Sequence, residues 1–209
     1  MSAHAAHFDS DARRHVSALL GMWVFLATEL MFFGPLFLSY AYGRVEFSEG
    51  FAAASRHTHF WIGTINTAVL LTSSVFMAAA VRAVKIDRRK SAPVLLWITA
   101  GLGAVFLAMK GVEYWKEWHE HLVPWLEFRF AAQHVQAAKL FYFIYFAMTG
   151  LHAVHLTIGI ALAIIFAVRL QLRQKLPQSS VEIVGLYWHF VDAIWVFLYP
   201  LIYLLERHG

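Results

Sequence analysis

The 209-residue chain is 60% hydrophobic and 14% charged, with a mean hydropathy of +0.57 and a formal net charge of +4. Soluble domains carry about 25% charged residues. This balance therefore excludes an ordinary soluble domain, and the basic excess points to anionic lipid headgroups rather than nucleic acid. The absence of cysteine also excludes disulfides, iron–sulfur clusters and thiolate metal sites.

The first 16 residues contain Asp9, Asp11, Arg13 and Arg14 and no apolar core. A cleavable signal peptide is not expected there, and the first span is expected to serve as its own insertion signal. Five apolar stretches follow, and each reaches the roughly 20 residues that cross a bilayer as a helix. The first, Ser17–Tyr42, carries Glu29 near its middle. An ionised carboxylate at that depth is costly, so Glu29 is expected to be neutral and able to donate a hydrogen bond. The second stretch is Phe60–Val81, and the third is Pro93–Val112. Near the outer end of the third, Lys110 and Glu113 stand one helical turn apart. They could neutralise each other at the interface or hold a lipid headgroup. The longest loop, Trp115–Lys139, mixes Trp115, Trp118, Trp125 and Phe130 with Glu117, His119, Glu120, His121, Glu127 and His134. Aromatics beside charges predict an interfacial half-helix, with a docking surface as the alternative. The fourth stretch, Leu140–Val168, holds His152 and His155 on one helix face. The fifth, Ile183–Leu205, holds His189 and Asp192 in the same relation.

The loops also predict orientation. One side carries ten basic residues, Arg13, Arg14, Arg82, Lys85, Arg88, Arg89, Lys90, Arg169, Arg173 and Lys175. The other carries six, Arg44, Arg56, Lys116, Arg129, Lys139 and Arg207. The positive-inside rule puts the first set in the cytoplasm. The expected fold is all-α: a single polytopic membrane domain over residues 1–209, a bundle of five transmembrane helices with the N-terminus cytoplasmic and the C-terminus outside.

Glu29, His152 and Asp192 all fall at mid-membrane depth, and the first, fourth and fifth helices would enclose one polar pocket if they met. Ionisable groups in hydrocarbon usually face a protein interior and serve a function. Three chemistries compete for this set. One is a metal site of glutamate, His-x-x-His and His-x-x-Asp, although helical di-metal bundles use about four carboxylates. The second is a haem held axially by His189 and His152 or His155. The third, favoured here, is a hydrogen-bonded polar network locking the helices together, each bond contributing about 0.6–2 kcal/mol.

Five segments resemble subunit III of the haem-copper respiratory oxidases: WVFLATELMFF at 23–33, NTAVLLTSS at 66–74, KGVEY at 110–114, MTGLHAVHLTIG at 148–159 and YWHFVDAIWVFLY at 187–199. They fall in all five stretches in the family's order. The resemblance is to the short, five-helix form, so the two helices that open the seven-span form are missing, and with them a wall of its lipid cleft. It implies a subunit of a proton-pumping terminal oxidase that reduces oxygen to water, in a bacterial plasma (inner) membrane. It implies a bundle beside subunit I, in contact with other subunits including subunit II, and bound phospholipid. Haem and copper would sit in the partner subunits, with no cofactor, metal or catalytic residue in this chain. Residue by residue, Glu29 matches the family's buried, proton-linked, carbodiimide-reactive glutamate, and Glu113, with Lys110 beside it, the glutamate near bound lipid. His152, His155, His189, Asp192 and Trp195 match signature positions read as a structural polar network. Cytochrome c and quinol both remain open as electron donor. The alternatives are an accessory protein of a nitric oxide reductase with the same five-helix core, or an independent metal or proton transporter.

Overall fold

A computed structural model describes residues 3–204 except 89, 127, 132, 173, 175 and 176. Arg89, Glu127, Arg173, Lys175, Leu205 and Arg207, used above for the loops and the last span, lie outside the described residues. The described chain is all-helical: α1 (Ala3–Glu46), α2 (Ser48–His57), α3 (Phe60–Lys85), α4 (Ser91–His119), α5 (Val135–Gln171) and α6 (Gln178–Tyr199). A π-helical continuation, Pro200–Leu204, follows α6 directly. Five of these helices are long and apolar enough to cross a membrane.

Two features differ from the expectations. The segment Ser48–His57, outside the five apolar stretches, forms a ten-residue helix, α2. Its composition is mixed, and it folds because one face is sealed: Phe51 and Ala54 are fully buried. Phe51 meets Phe141 edge-on with ring centroids 5.5 Å apart and Tyr40 at 5.7 Å. Among the described residues of Trp115–Lys139, the predicted interfacial half-helix does not form a separate element. Residues 115–119 continue α4 and 135–139 begin α5, with only turns described between them. His121 stops α4 in the left-handed conformation (φ 56°). Its N–H reaches the Trp118 carbonyl and that of Leu122 the Glu117 carbonyl, the pairing that closes a Schellman end without glycine. Leu122 and Val123 then turn inward and are buried.

The bundle is assembled around α6. That helix packs on α3 and α5, α3 packs on α4, and α4 on α5. Among the spans, α1 packs chiefly against α5 and α6, and it leaves Trp23, Val24, Met31 and Phe32 more than half exposed along its outer face. Without water to drive apolar residues together, membrane helices associate by close packing and interhelical hydrogen bonds. Both are visible at Trp188 of α6, which is fully buried. A β-carbon on Gly103 of α4 would stand 2.9 Å from its indole, so only glycine leaves room for the ring to reach that helix. The Trp188 Nε1–H donates to Ser73 Oγ of α3 at 3.2 Å. At the far end of α6, the Leu201 carbonyl accepts from the Tyr40 hydroxyl, and the Ile202 carbonyl accepts from Ser55 Oγ at 2.7 Å. Backbone that leaves the regular helix in this way must find such partners within the protein.

Candidate functional site

The sequence-predicted polar residues do not form one pocket. The helices α1, α5 and α6 do meet, but their ionisable groups divide into separate sites. The first joins α1 to α5: His155 Nε2 lies 2.9 Å from Glu29 Oε2. His155 Nδ1 lies 2.9 Å from the Leu151 carbonyl, which can only accept, so Nδ1 carries a hydrogen. In the neutral ring, Nε2 is then an acceptor, and Glu29 must supply the proton of the second bond. Moving that proton onto the ring would give an imidazolium–carboxylate pair instead. Both descriptions hold one proton between the two groups and leave the pair without net charge. Glu29 is not sealed off, because its side chain retains 19% exposure on the bundle's flank. Tyr187 closes the other side by donating its hydroxyl to the His155 carbonyl at 3.0 Å.

The second site joins α3 to α6. His189 Nδ1 and Ser74 Oγ are 2.7 Å apart, and Trp195 Nε1–H donates to Thr67 Oγ1 at 3.0 Å. Asp192, 4% exposed, has no hydrogen-bond partner on either carboxyl oxygen. His152 likewise makes no hydrogen bond through either ring nitrogen. It is packed between aromatic rings, 5.1 Å from Trp195 and 5.6 Å from Phe106. Of the five residues expected in a network, His155, His189 and Trp195 are thus hydrogen-bonded, whereas His152 is held by ring contacts and Asp192 by burial.

The third site was read from the sequence as an interfacial pair, and the structure places it inside the bundle. Glu113 is fully buried and Lys110 is 4% exposed. The ammonium of Lys110 donates at 3.0 Å to each of three acceptors, Glu113 Oε2, Tyr145 Oη and Tyr203 Oη. Tyr203 in turn donates to Glu113 Oε1 at 2.6 Å. The rings of Tyr114, Tyr145, Trp195 and Tyr203 surround the ammonium with centroids at 4.9–5.7 Å, adding attraction to their π faces. Neither charged group faces the surface where a lipid headgroup would lie. Sequence reasoning missed Tyr145, Tyr203 and Glu117, which complete this cluster. The signal available was the spacing of Lys110, Glu113 and Glu117, which puts all three on one face of α4. Among the described residues, no three His, Asp or Glu side chains converge in the manner of a metal site.

On the membrane-facing side, an entirely apolar groove of about 510 Å³ runs between α1 and α6, lined by Leu30, Phe37, Phe190, Ile194, Phe197 and Leu201 among others. A smaller cleft of about 290 Å³ between α1, α3 and α6 has His189 and the ion pair Lys85–Glu182 (2.8 Å) in its walls.

A family profile described as cytochrome c oxidase subunit III matches residues 7–206. Cytochrome c oxidase subunit 3 of Thermostichus vulcanus is 33% identical over 205 residues, covering 97% of this chain and 92% of that protein. Quinol oxidase subunit 3 of Bacillus spizizenii is 29% identical, with 99% of this chain and 98% of that protein covered. A heme-copper oxidase subunit I+III of Aeropyrum pernix is 31% identical over 88% of this chain, a stretch that makes up 22% of the longer protein.

Proposed function

This chain belongs to the cytochrome c oxidase subunit III family, and from that premise we propose that it is the non-redox third subunit of its oxidase, supporting the subunit that carries out the chemistry. It is an integral membrane protein and a subunit III of a haem-copper terminal oxidase. The finer reading is that the chain forms one membrane domain over residues 1–209 and lies in a bacterial plasma membrane with its N-terminus cytoplasmic. It holds neither haem nor copper and packs against subunit I, in the company of subunit II. The single observation that carries this reading is the family match across nearly the whole chain. Contact with subunit I is supported by the Aeropyrum relative, whose name assigns both subunits to one polypeptide. The non-redox reading is supported by the side chains themselves: His155 is committed to Glu29, His189 to Ser74, and His152 to two aromatic rings. The donor is cytochrome c or a quinol, as in the names of the two relatives of matching length.

The function assigned is to stabilise subunit I, to hold phospholipid and to keep proton uptake fast. The apolar groove between α1 and α6 is the place for an acyl chain, since its walls offer no polar group to one. Lys110 and Glu113, being enclosed, would act on lipid only through the helices they fix.

The test is to strip this subunit from the purified oxidase and follow oxygen consumption over many turnovers. Near-normal initial activity at low pH is expected, with weaker activity as pH rises and progressive inactivation during turnover. Immediate and complete loss of activity, with subunit I and its haems intact, would place an essential catalytic element in this chain.

Glu29 gives a second expected result. A hydrophobic carbodiimide needs a protonated carboxyl within reach of the lipid phase, and the shared proton and partial exposure of Glu29 meet both needs. Glu29→Gln should abolish labelling of the subunit. Equal labelling of the variant and the native chain would move the reactive group elsewhere.

A further inference from the structure

Because α1 packs chiefly on α5 and α6, a cleft of about 290 Å³ stays open between α1 and α3, with α6 as its floor. Leu19 of α1 and Ala78 and Val81 of α3 make its sides apolar. At Gly185 the floor is bare helix, where a β-carbon would stand 2.7 Å from Val81 Cγ2. The mouth is charged. Lys85 Nζ and Glu182 Oε1 are 2.8 Å apart, with the glutamate side chain 17% exposed and the lysine side chain 53%. The other glutamate oxygen, Oε2, has His15 Nε2 at 3.6 Å, too far for a hydrogen bond. An ammonium has three N–H donors and a carboxylate two acceptor oxygens, so this pair has the capacity to bind a second pair of opposite charges laid against it. Deeper in the wall, His189 follows Glu182 by seven residues of α6, about 10 Å of helix rise, and its Nδ1 is 2.7 Å from Ser74 Oγ.

In a bilayer, apolar walls of this kind favour a hydrocarbon chain over water, and the charges at the mouth then select the headgroup. Lys85 and Glu182 cancel, so the pair itself offers no net charge to an anion. A headgroup carrying only a phosphate would set its negative charge beside the Glu182 carboxylate. A headgroup with a phosphate and a primary ammonium lays the opposite pair against this one. Its phosphate oxygens accept from Lys85 and its ammonium donates to Glu182 Oε2, both as charge-assisted hydrogen bonds. A quaternary ammonium has no N–H to donate. We propose that the cleft between α1, α3 and α6 binds one phospholipid of the phosphatidylethanolamine class, with its headgroup on Lys85 and Glu182 and an acyl chain along Leu19, Ala78 and Val81. The inference rests on the reading that this subunit holds phospholipid, and it adds a headgroup class and a place separate from the apolar groove between α1 and α6. His189 then stands below the headgroup, at the depth of the acyl esters, with its second ring nitrogen free of the Ser74 bond. Bound there, the lipid bridges α1 to α3, two spans that each pack on α6.

The experiment uses the intact purified oxidase, exchanged into detergent with an equimolar mixture of phosphatidylethanolamine, phosphatidylglycerol and phosphatidylcholine of identical acyl chains. After washing in lipid-free detergent, the retained lipid of each class is counted per complex by mass spectrometry. The native complex should hold one more equivalent of phosphatidylethanolamine than the complex carrying Glu182→Gln, with the other two classes unchanged. Ala78→Leu, which fills the cleft and leaves both charges in place, should lose the same molecule. Equal phosphatidylethanolamine in the native complex and either variant would overturn the proposal. So would the loss of phosphatidylglycerol or phosphatidylcholine in its place, which would leave the reading that the subunit holds phospholipid standing. Retention of no phospholipid of any class by the native complex would overturn that reading as well. If the glutamine variant fails to assemble, Ala78→Leu decides alone, and unchanged phosphatidylethanolamine in it overturns the proposal.

Discussion

Replacing Lys110 by methionine should destabilise the subunit by about 3–5 kcal/mol, the range for removing one partner of a buried ion pair. The substitution leaves the Glu113 carboxylate, which is fully buried, with only the Tyr203 hydroxyl for support. Tyr145 loses its donor from Lys110 as well. The double variant Lys110→Met/Glu113→Gln should recover most of the loss, because a neutral pair of similar volume no longer strands a charge in a dry interior. Thermal unfolding of the detergent-purified chain, read by circular dichroism, would measure both. A loss below about 1 kcal/mol for Lys110→Met would mean that water reaches Glu113 and that the enclosure is not closed, since exposed ion pairs contribute about that little.

Trp188→Ala should cost a comparable amount, about 3–5 kcal/mol, by leaving a cavity where a large aromatic side chain had been. The indole is fully buried and fills the space that Gly103 of α4 leaves open, with Gly159 of α5 against its other edge. The loss should lie in packing far more than in hydrogen bonding. Ser73→Ala, which removes only the acceptor of the indole N–H, should cost about 1 kcal/mol, and Trp188→Phe should fall between the two. The same unfolding measurement ranks the three variants. Equal losses for Ser73→Ala and Trp188→Ala would show that the bond, and not the fit of the ring, joins α3 to α6.

The parts of this molecule legible in the sequence are those that depend on one segment at a time. Twenty apolar residues in a row require a helix wherever they lie in the chain, so each of the five membrane-crossing helices could be located from Ser17 onward. The helix α2 was not legible, because Ser48–His57 is too short and too polar to declare itself. It is helical on account of Phe51 and Ala54, whose partners lie on α1 and α5. The same distinction governs the polar sites. The face shared by His152 and His155 follows from spacing alone, but which of them meets Glu29 depends on the rotation of α5 against α1. The choice of His155 over His152 is a matter of packing. Lys110 and Glu113 were legible as a pair one turn apart. Their burial depends on Tyr145 and Tyr203, which are 35 and 93 residues further along the chain from Lys110, and no local pattern announces that meeting.

The position of α1 has a consequence for the order of events during synthesis. This helix emerges before the spans that receive it, α5 and α6; the bond from Glu29 to His155 joins residues 126 apart. At a ribosome adding about 5–20 residues per second, the interval between the two is on the order of 10 s. For that time Glu29 sits in the newly inserted helix without the histidine that completes it, alongside Trp23, Val24, Met31 and Phe32. The nascent chain therefore has a waiting period in which its first helix must be sheltered by lipid, by the insertion machinery or by a subunit already in the membrane. A chain halted before His155 should present Glu29 to a membrane-soluble carboxyl reagent far more openly than the finished protein does.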